Sequence, residues 1–503
     1  MKIEYVIVQA GGKGTRLGKL THNRPKALVS INNRPIIFHL FEKFPDCRYV
    51  IIGDYKYGVL EKYLDNFAKV SFASIKANGK GNATGIATAL NYIPQGKPFM
   101  LLWSDLLIDD KIDFDSLPYG NYVGITNKFS CSWKFENNLF EKTQSNKNGL
   151  VGFFIFKDKS VINGIPEEGS FAQWIQKQSI DFFSLDMLET NELGTLDAIK
   201  LVDHSNENRC RPYNKMIFDG EKVIKEGVTS DGKELIKREI AWYKYATEHG
   251  FTEIPTIHSF EPLTMSKIHG ENIFKANLTE EEKKITIKRL VESLLKMHEI
   301  GKSEQNAFDM QEDYYAKTLK RLYSIWSCIP HANEIFININ GKKCQNILVK
   351  PELLQKFVDY TVSEKTDFGL IHGDGTLTNT MIDYNGKIYF IDARGYFGKT
   401  PLIGDVNYDW AKLYYSVNAS FDQFNIKNFD LNINEDCVNF KIAASGWEKL
   451  TEYMFSIIPN CNIKKIKFIH SIIWLSLASH CWEDYDSMCL AFYNGLYLLN
   501  ELM

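Results

Sequence analysis

Residues 3–8 read Ile-Glu-Tyr-Val-Ile-Val and run without a break into Gln9-Ala-Gly-Gly-Lys-Gly-Thr-Arg-Leu-Gly18. A short apolar run that ends in glycines reads as a buried strand entering a tight turn. Two more such runs, 49–53 (YVIIG) and 99–103 (FMLLW), are closed by turn or acidic residues. Between them, 35–44 and 57–67 have helical spacing, with Ile36, Ile37, Leu40, Phe41 and Phe44 on one stripe. Strands alternating with helices at this spacing predict βαβ units, hence an α/β fold with a doubly wound, mostly parallel sheet. Such sheets take ligands at the carboxyl ends of their strands, where the glycines fall.

The pattern changes near residue 205. Residues 203–214 (DHSNENRCRPYN) are polar, almost without aliphatics, and contain a proline, which marks a boundary. With 503 residues the chain is too long for one hydrophobic core, and two unlike domains are expected, 1–205 and 206–503. The second opens with a hairpin (MIFDGEKVIKEG) turning at Asp219-Gly220. A helix over 233–247 follows, with Leu235, Ile236, Ile240 and Tyr243 on one side. The remainder reads as mostly helical, an α+β domain with one short strand pair near 380–392 and apolar helices over 436–503.

Composition narrows the partners. The chain has 59 Lys and Arg against 62 Asp and Glu, so it lacks the basic excess of a nucleic-acid-coating protein, and no nucleic-acid partner is expected. Nine cysteines are scattered with no CxxC pair, which favours reduced thiols over a disulfide framework or zinc. The opening MKIEYVIVQAGG resembles neither a signal peptide nor an anchor. The most apolar late stretch, 468–482, is interrupted by His470 and His480 and is too short for a membrane span. A cytoplasmic protein without a membrane span is expected.

The glycine segment has a chemical reading of its own. Gly11, Gly12 and Gly14 let backbone N–H groups approach anionic oxygens, and Arg16 and Lys26 offer charge to the same phosphates. GGKGTRLGKLTHNRPKAL resembles the opening of the sugar-1-phosphate nucleotidyltransferase superfamily, which shares a GGxGTRL…PK pattern and includes CTP:phosphocholine cytidylyltransferases. The resemblance covers about 1–200 and implies a Rossmann-like sheet of nucleotidyltransferase type. It implies that Gly11, Gly12, Gly14 and Thr15 cradle an NTP and that Gly85, in KGNATGIATAL, contacts the base. Asp105, in LLWSDLLID, and Glu192, in NELGTLDAI, become the Mg2+ ligands, although relatives carry Asp where Glu192 stands. Arg16 and Lys26 become the catalytic cations, stabilising charge on the attacking phosphate and the leaving pyrophosphate.

A second constellation lies at 371–379, Ile-His-Gly-Asp-Gly-Thr-Leu-Thr-Asn, followed by KIYFIDARGYFG. A carboxylate near an acceptor hydroxyl, then an Asn and an Asp on metal, is what a kinase site needs. The segment resembles the aminoglycoside phosphotransferase/choline kinase superfamily, strongly over 368–416. The resemblance makes Asp374 the catalytic base and Asn379 and Asp392 Mg2+ ligands, with His372 structural. Lys225, in KVIKEG, becomes the strand lysine that holds ATP phosphates, and Glu239 its helix partner. Arg394 follows Asp392 closely with an open role.

Together these readings imply a bifunctional activating enzyme for surface-polysaccharide precursors. Its kinase half phosphorylates a small hydroxyl compound with ATP. Its nucleotidyltransferase half couples the product to an NMP, CTP being the favoured NTP, and releases pyrophosphate. The acceptor is an amino alcohol such as choline or a sugar with its phosphate. The competing reading keeps the nucleotidyltransferase and makes the second half a binding or scaffolding module. The late aromatics Trp474, Trp482, Tyr485, Phe492, Tyr493 and Tyr497 read as core, with an aromatic box for a quaternary ammonium as the alternative.

Overall fold

The computed structural model describes residues 1–204 and 214–503. They form two compact units; the first takes in the chain up to residue 204 together with Trp482–Asp486, and the second the rest. The expected boundary at 205 lies outside the described residues, as does Cys210.

Unit 1 is built on a nine-stranded sheet. The strand Tyr5–Gln9 lies between Arg48–Gly53 and Phe99–Trp103, parallel to both, and Phe72–Lys76 extends the parallel part beyond Arg48–Gly53. Val6, Ile7 and Val8 are fully buried, so both faces of the first strand are covered, as a central parallel strand requires. Helices Ile36–Lys43 and Tyr57–Phe67 fall where the apolar spacing predicts them.

The other half of the sheet departs from the expected mostly parallel arrangement. Gly149–Phe156 runs antiparallel to Phe99–Trp103 and Tyr122–Thr126, and it leads on to the antiparallel pair Lys134–Glu136 and Leu139–Glu141. The sheet is mixed. Its second half combines short-range reversals, such as the turn at Asn137-Asn138, both in the left-handed region, with one parallel pair, Phe183–Asp186 beside Tyr122–Thr126.

Unit 2 opens with the expected hairpin, Asn214–Asp219 against Lys222–Gly227, continued by Leu263–Ser266 and Ile257–Phe260. Helix Ser230–Glu248 follows, its N-terminus capped by the Thr229 hydroxyl, which accepts from Gly232 N at 3.1 Å. Its buried side is Ile236, Glu239, Trp242, Tyr243 and Ala246. Leu235 is exposed, one position off the expected stripe. The reading of 206–503 as helical with one strand pair is corrected by three further small sheets. One joins Lys342–Gln345, Phe336–Ile339, Val438–Ile442 and Phe429–Ile433, so 436–503 is not wholly helical. Those strands are short and only one side of each is apolar, a weak signal beside the long helices. Of the late aromatics, Trp474, Phe492 and Tyr493 are fully buried, and the Trp474 indole donates to His470 Nε2 at 3.0 Å. They are core. No helix among the described residues is long and apolar enough to cross a membrane.

Leu101 is fully buried at the centre of the unit 1 sheet. Leu101→Ala is expected to destabilise unit 1 by about 2–5 kcal/mol, read from urea unfolding followed in that unit.

Candidate functional sites

In unit 1 the chain leaves the first strand at Gln9, whose side-chain amide donates to the carbonyls of Asn82 and Thr84, both at 2.9 Å. Gly11, Gly12 and Gly14 follow. Gly14 adopts φ 65° and opens the 3-10 turn Thr15–Thr21, which fully buried Leu17 pins to the core. Gly12, Thr15 and Arg16 lie exposed on that turn. Gly85 has φ 78°, and a Cβ there would sit 2.6 Å from Ile52 Cγ2. No other residue fits between that turn and the second strand.

Two carboxylates meet beside this loop. Leu106–Leu107 pairs antiparallel with Asn191–Glu192, with Glu192 opposite Leu106, and Leu193 N donates to Asp105 O at 2.8 Å. This pairing carries Glu192 across 87 residues of sequence to Asp105. Lys26 is buried and bonds to Asp105, while Arg16 Nη2 is 3.5 Å from Glu192 Oε1. A Cβ on Gly194 would fall 2.7 Å from Glu192 Oε1 and 2.8 Å from Arg16 Nη2, so glycine leaves room for that pair. Burial and then the Asp105 charge raise the Glu192 pKa, against the opposing pull of Lys26 and Arg16. Two carboxylates that repel one another next to an anion-binding loop suit a hard divalent cation completed by water and phosphate oxygens. Among the described residues there is no cluster of three or more His, Cys, Asp or Glu side chains set to hold a metal by itself.

The second centre lies wholly in unit 2. Lys225 and Glu239 are both buried, and Lys225 Nζ lies 2.7 Å from Glu239 Oε2 and also bonds to Asp392. Burial works against the Lys225 ammonium, but Asp392 and Glu239 outweigh it and hold the lysine charged above its ordinary range. Burial pushes Glu239 up to about 7, helped by the Asp392 charge and opposed by Lys225. Thr380–Asp383 and Ile388–Phe390 form a hairpin, and Ile391 N donates to Asn379 O at 3.0 Å. This brings Asn379 and Asp392 to the same end. Asp392 has φ 61°, a strained backbone for a residue other than glycine. Asn379 Nδ2 donates to Asp374 Oδ2 at 2.8 Å. Lys225, Glu239, Asp374, Asn379 and Asp392 are therefore linked, although they span 168 residues of chain.

The turn that carries Asp374 is held from beneath. Asp409 is fully buried, and its two oxygens accept from His372 N at 2.9 Å and Gly373 N at 2.8 Å. His298 Nε2 lies 3.2 Å from the same carboxylate. His372 is also fully buried, burial lowers its pKa, and its ring packs edge-on to Trp242.

Comparison with known proteins bears on the first of these centres. Residues 5–117 match the family model described as nucleotidyl transferase. The match places a nucleotidyl transferase domain at the N-terminus. It is similar to the bifunctional protein GlmU of Methanococcus maripaludis, 31% identical over 175 residues, 32% of this chain and 41% of that protein. The GlmU protein of Methanocaldococcus jannaschii is 25% identical over 246 residues, 46% of this chain and 57% of that one. The chain thus spans about half the length of the curated relatives it matches. The crystal structure of HddC from Yersinia pseudotuberculosis complexed with GMP-PN overlays with a TM-score of 0.35 at 19% identity, covering 41% of this chain and 99% of that one.

The family match takes in the glycine turn, Lys26, Gly85 and Asp105 of the nucleotidyl transferase domain and stops before Glu192. Sequence reasoning passed over Gln9, whose amide ties the glycine turn to 82–84. In unit 2 it passed over Lys412, whose Nζ is 2.8 Å from Asp374 Oδ1. Lys412 stands three residues after Asp409 on helix Val406–Val417, a spacing that puts both on one face. That spacing was the available signal. It also missed Asp313, which joins Lys317 four residues on and Arg394; sequence distance hides the contact with Arg394.

Asp409→Ala strips two buried backbone N–H groups of their acceptor. It is expected to cost unit 2 about 3 kcal/mol or more, read as a lowered unfolding midpoint with the nucleotidyl transferase domain's transition unchanged.

Proposed function

We propose that the protein is a bifunctional activating enzyme that makes precursors for surface polysaccharide. Unit 2 phosphorylates a small hydroxyl compound with ATP. Unit 1 couples the phosphorylated product to an NMP, with CTP the favoured NTP, giving an NDP-sugar or CDP-alcohol and pyrophosphate. The observation that carries this reading is that each unit gathers, from distant parts of the sequence, carboxylate and cation sets suited to phosphate chemistry.

In unit 1 a phosphate oxygen of the acceptor attacks the α-phosphorus, the bond to the bridging oxygen breaks, and pyrophosphate leaves. Such a transfer asks for placement and charge neutralisation more than for proton transfer. Lys26 and Arg16 stabilise the charge on the attacking and leaving groups, and Gly11, Gly12, Gly14 and Thr15 give the phosphates a close backbone. Asp105 and Glu192 hold Mg2+, which neutralises phosphate charge when bound. Gly85 and the 82–84 backbone that Gln9 holds lie where the base would rest.

In unit 2 the acceptor hydroxyl oxygen attacks the γ-phosphorus, its proton passes to Asp374, and ADP leaves with the bridging oxygen. Lys225, oriented by Glu239, holds the ATP phosphates, and Asn379 and Asp392 are the Mg2+ ligands. The eight described cysteines are free thiols, which agrees with a cytoplasmic location. A second reading, in which unit 2 only binds, is favoured by one arrangement, since the Lys412 ammonium sits on Asp374 Oδ1 and the Asn379 amide on Oδ2.

Asp105→Ala is expected to abolish pyrophosphate release from NTP and a phosphorylated acceptor while leaving ATP turnover in unit 2 unchanged. Asp374→Ala should do the reverse, and ATP turnover equal in wild type and Asp374→Ala favours the binding module. Acidity supplies another check. Glu192 must be ionised to hold a cation, its pKa is raised by burial and Asp105, and Arg16 opposes that rise. Pyrophosphate release therefore falls as pH drops, and Arg16→Gln is expected to move that acid limb to higher pH in a pH-rate profile.

A further inference from the structure

Several cations gather around Arg394, which follows Asp392 by two residues. Arg394 runs its stem along Gly373, where a Cβ would sit 2.9 Å from Arg394 Cβ and 3.2 Å from Cδ. Gly373 directly precedes Asp374, so this stem lies beside the turn that carries the proposed base. Arg394 Nη2 donates to Asp313 Oδ1 at 2.7 Å. The same buried carboxylate takes Lys317 and, at 3.4 Å, Gly398 N. One carboxylate thus serves two cations. Lys412 stands on Asp374, and Arg321 is close enough to act on both Lys317 and Tyr396.

The aromatic faces in this region are already taken. Guanidinium groups of Arg394 and Arg238 lie 4.2 and 4.8 Å from the centre of the Tyr396 ring, and Arg394 lies 5.2 Å from that of Tyr408. Lys412 Nζ is 5.1 Å from the centre of Tyr415. A quaternary ammonium seeking these rings would meet like charge on each. The opposing carboxylates are Asp313, Asp374 and Glu234, the last bonded to Arg238 at 3.2 Å. Facing them are Arg238, Arg321, Arg394 and Lys412, with Lys317 beside Arg394 on the shared Asp313. Asp309 nearby is met by Thr400 Oγ1, Asn306 Nδ2 and Lys399 N, and Glu312 by Lys399 at 2.8 Å. Burial, then the neighbouring Arg394 charge, drives Lys317 well below the usual lysine range. An arriving anion relieves that crowding.

We propose that the hydroxyl compound phosphorylated in unit 2 is itself an anion, bearing a carboxylate or phosphate group, and that Arg394 binds this oxyanion. The inference rests on the kinase reading of unit 2. An arginine fork fits it, because five N–H donors let Arg394 keep Asp313 with one and offer others to a planar or tetrahedral oxyanion. Arg394 here selects the substrate and moves no proton.

The test uses the full-length protein saturated with Mg2+ and a non-hydrolysable ATP analogue, titrated calorimetrically with inorganic phosphate. Phosphate is expected to bind, and Arg394→Gln to weaken it tenfold or more with analogue binding unchanged. Arg238→Gln, on a half-buried side chain, is expected to weaken it a few-fold, and it serves if Arg394→Gln fails to fold. Phosphate held by unit 1 is recognised by its sensitivity to Arg16→Gln and its indifference to Arg394. Absence of phosphate binding in wild type, or binding unaltered in both unit 2 variants, overturns the proposal. Transfer of labelled phosphate from ATP is then compared for glycerate with glycerol, gluconate and glucose 6-phosphate with glucose, and choline. Preference for gluconate or for glucose 6-phosphate tells a carboxylate site from a phosphate site. Faster transfer to choline or to the uncharged partners overturns the proposal and leaves the kinase reading standing. If the analogue binds no differently in wild type and Lys225→Met, the kinase reading fails, and the proposal with it.

Discussion

A carboxylate taken out of water persists only where donors or cations meet it, and both units are organised around that constraint. Asp409 is the clearest instance. It is fully buried, and the two amides and one imidazole that meet it fix the backbone of the turn before Asp374. Asp313 draws Arg394 and Lys317 together from separate segments, and Glu239 does the same for Lys225. In unit 1 the pairs Lys26–Asp105 and Arg16–Glu192 set the glycine turn against the strand ends. All but the i,i+4 pair Asp313–Lys317 join separate segments, so they fix tertiary structure as well as local charge.

This explains which parts could be read from the chain beforehand. The first strand and its glycine turn are local, and the apolar run and the glycines appear together in eighteen residues. The helices Ile36–Lys43 and Tyr57–Phe67 declare themselves through an apolar stripe. The pair Lys134–Glu136 and Leu139–Glu141 and the small sheets of unit 2 were missed because strands of two to five residues carry little periodic signal, and the eight-residue apolar run Gly149–Phe156 does not by itself declare its direction. Among site residues, those inside compact motifs were legible, Asp105, Asp374, Asn379 and Asp392 among them. Asp313 was not, since its partner Arg394 lies dozens of residues away, and Lys412 showed only through its spacing from Asp409.

Net charge takes on a different sense in this light. A chain at −3 overall still gathers strong local fields, because cations and carboxylates are sorted over a few ångströms inside each unit. Lys26, Arg16, Lys225, Lys412 and Arg394 all stand near a carboxylate that orients them. An oriented cation inside a partly buried site acts on a ligand far more strongly than one on an open surface. Phosphate chemistry therefore asks nothing of the surface as a whole.

Asp409 and Lys412 share one face of the helix Val406–Val417, the first holding the turn and the second holding the side chain that the turn presents. The α-helix advances about 100° per residue, so gaining or losing one residue between them would swing one of the two away from its partner. Sequence drift in this helix is then tolerable as substitution but not as a change of length. The two residues form a ruler, and a chain that keeps the spacing keeps the turn and its carboxylate in register however the surrounding loops change.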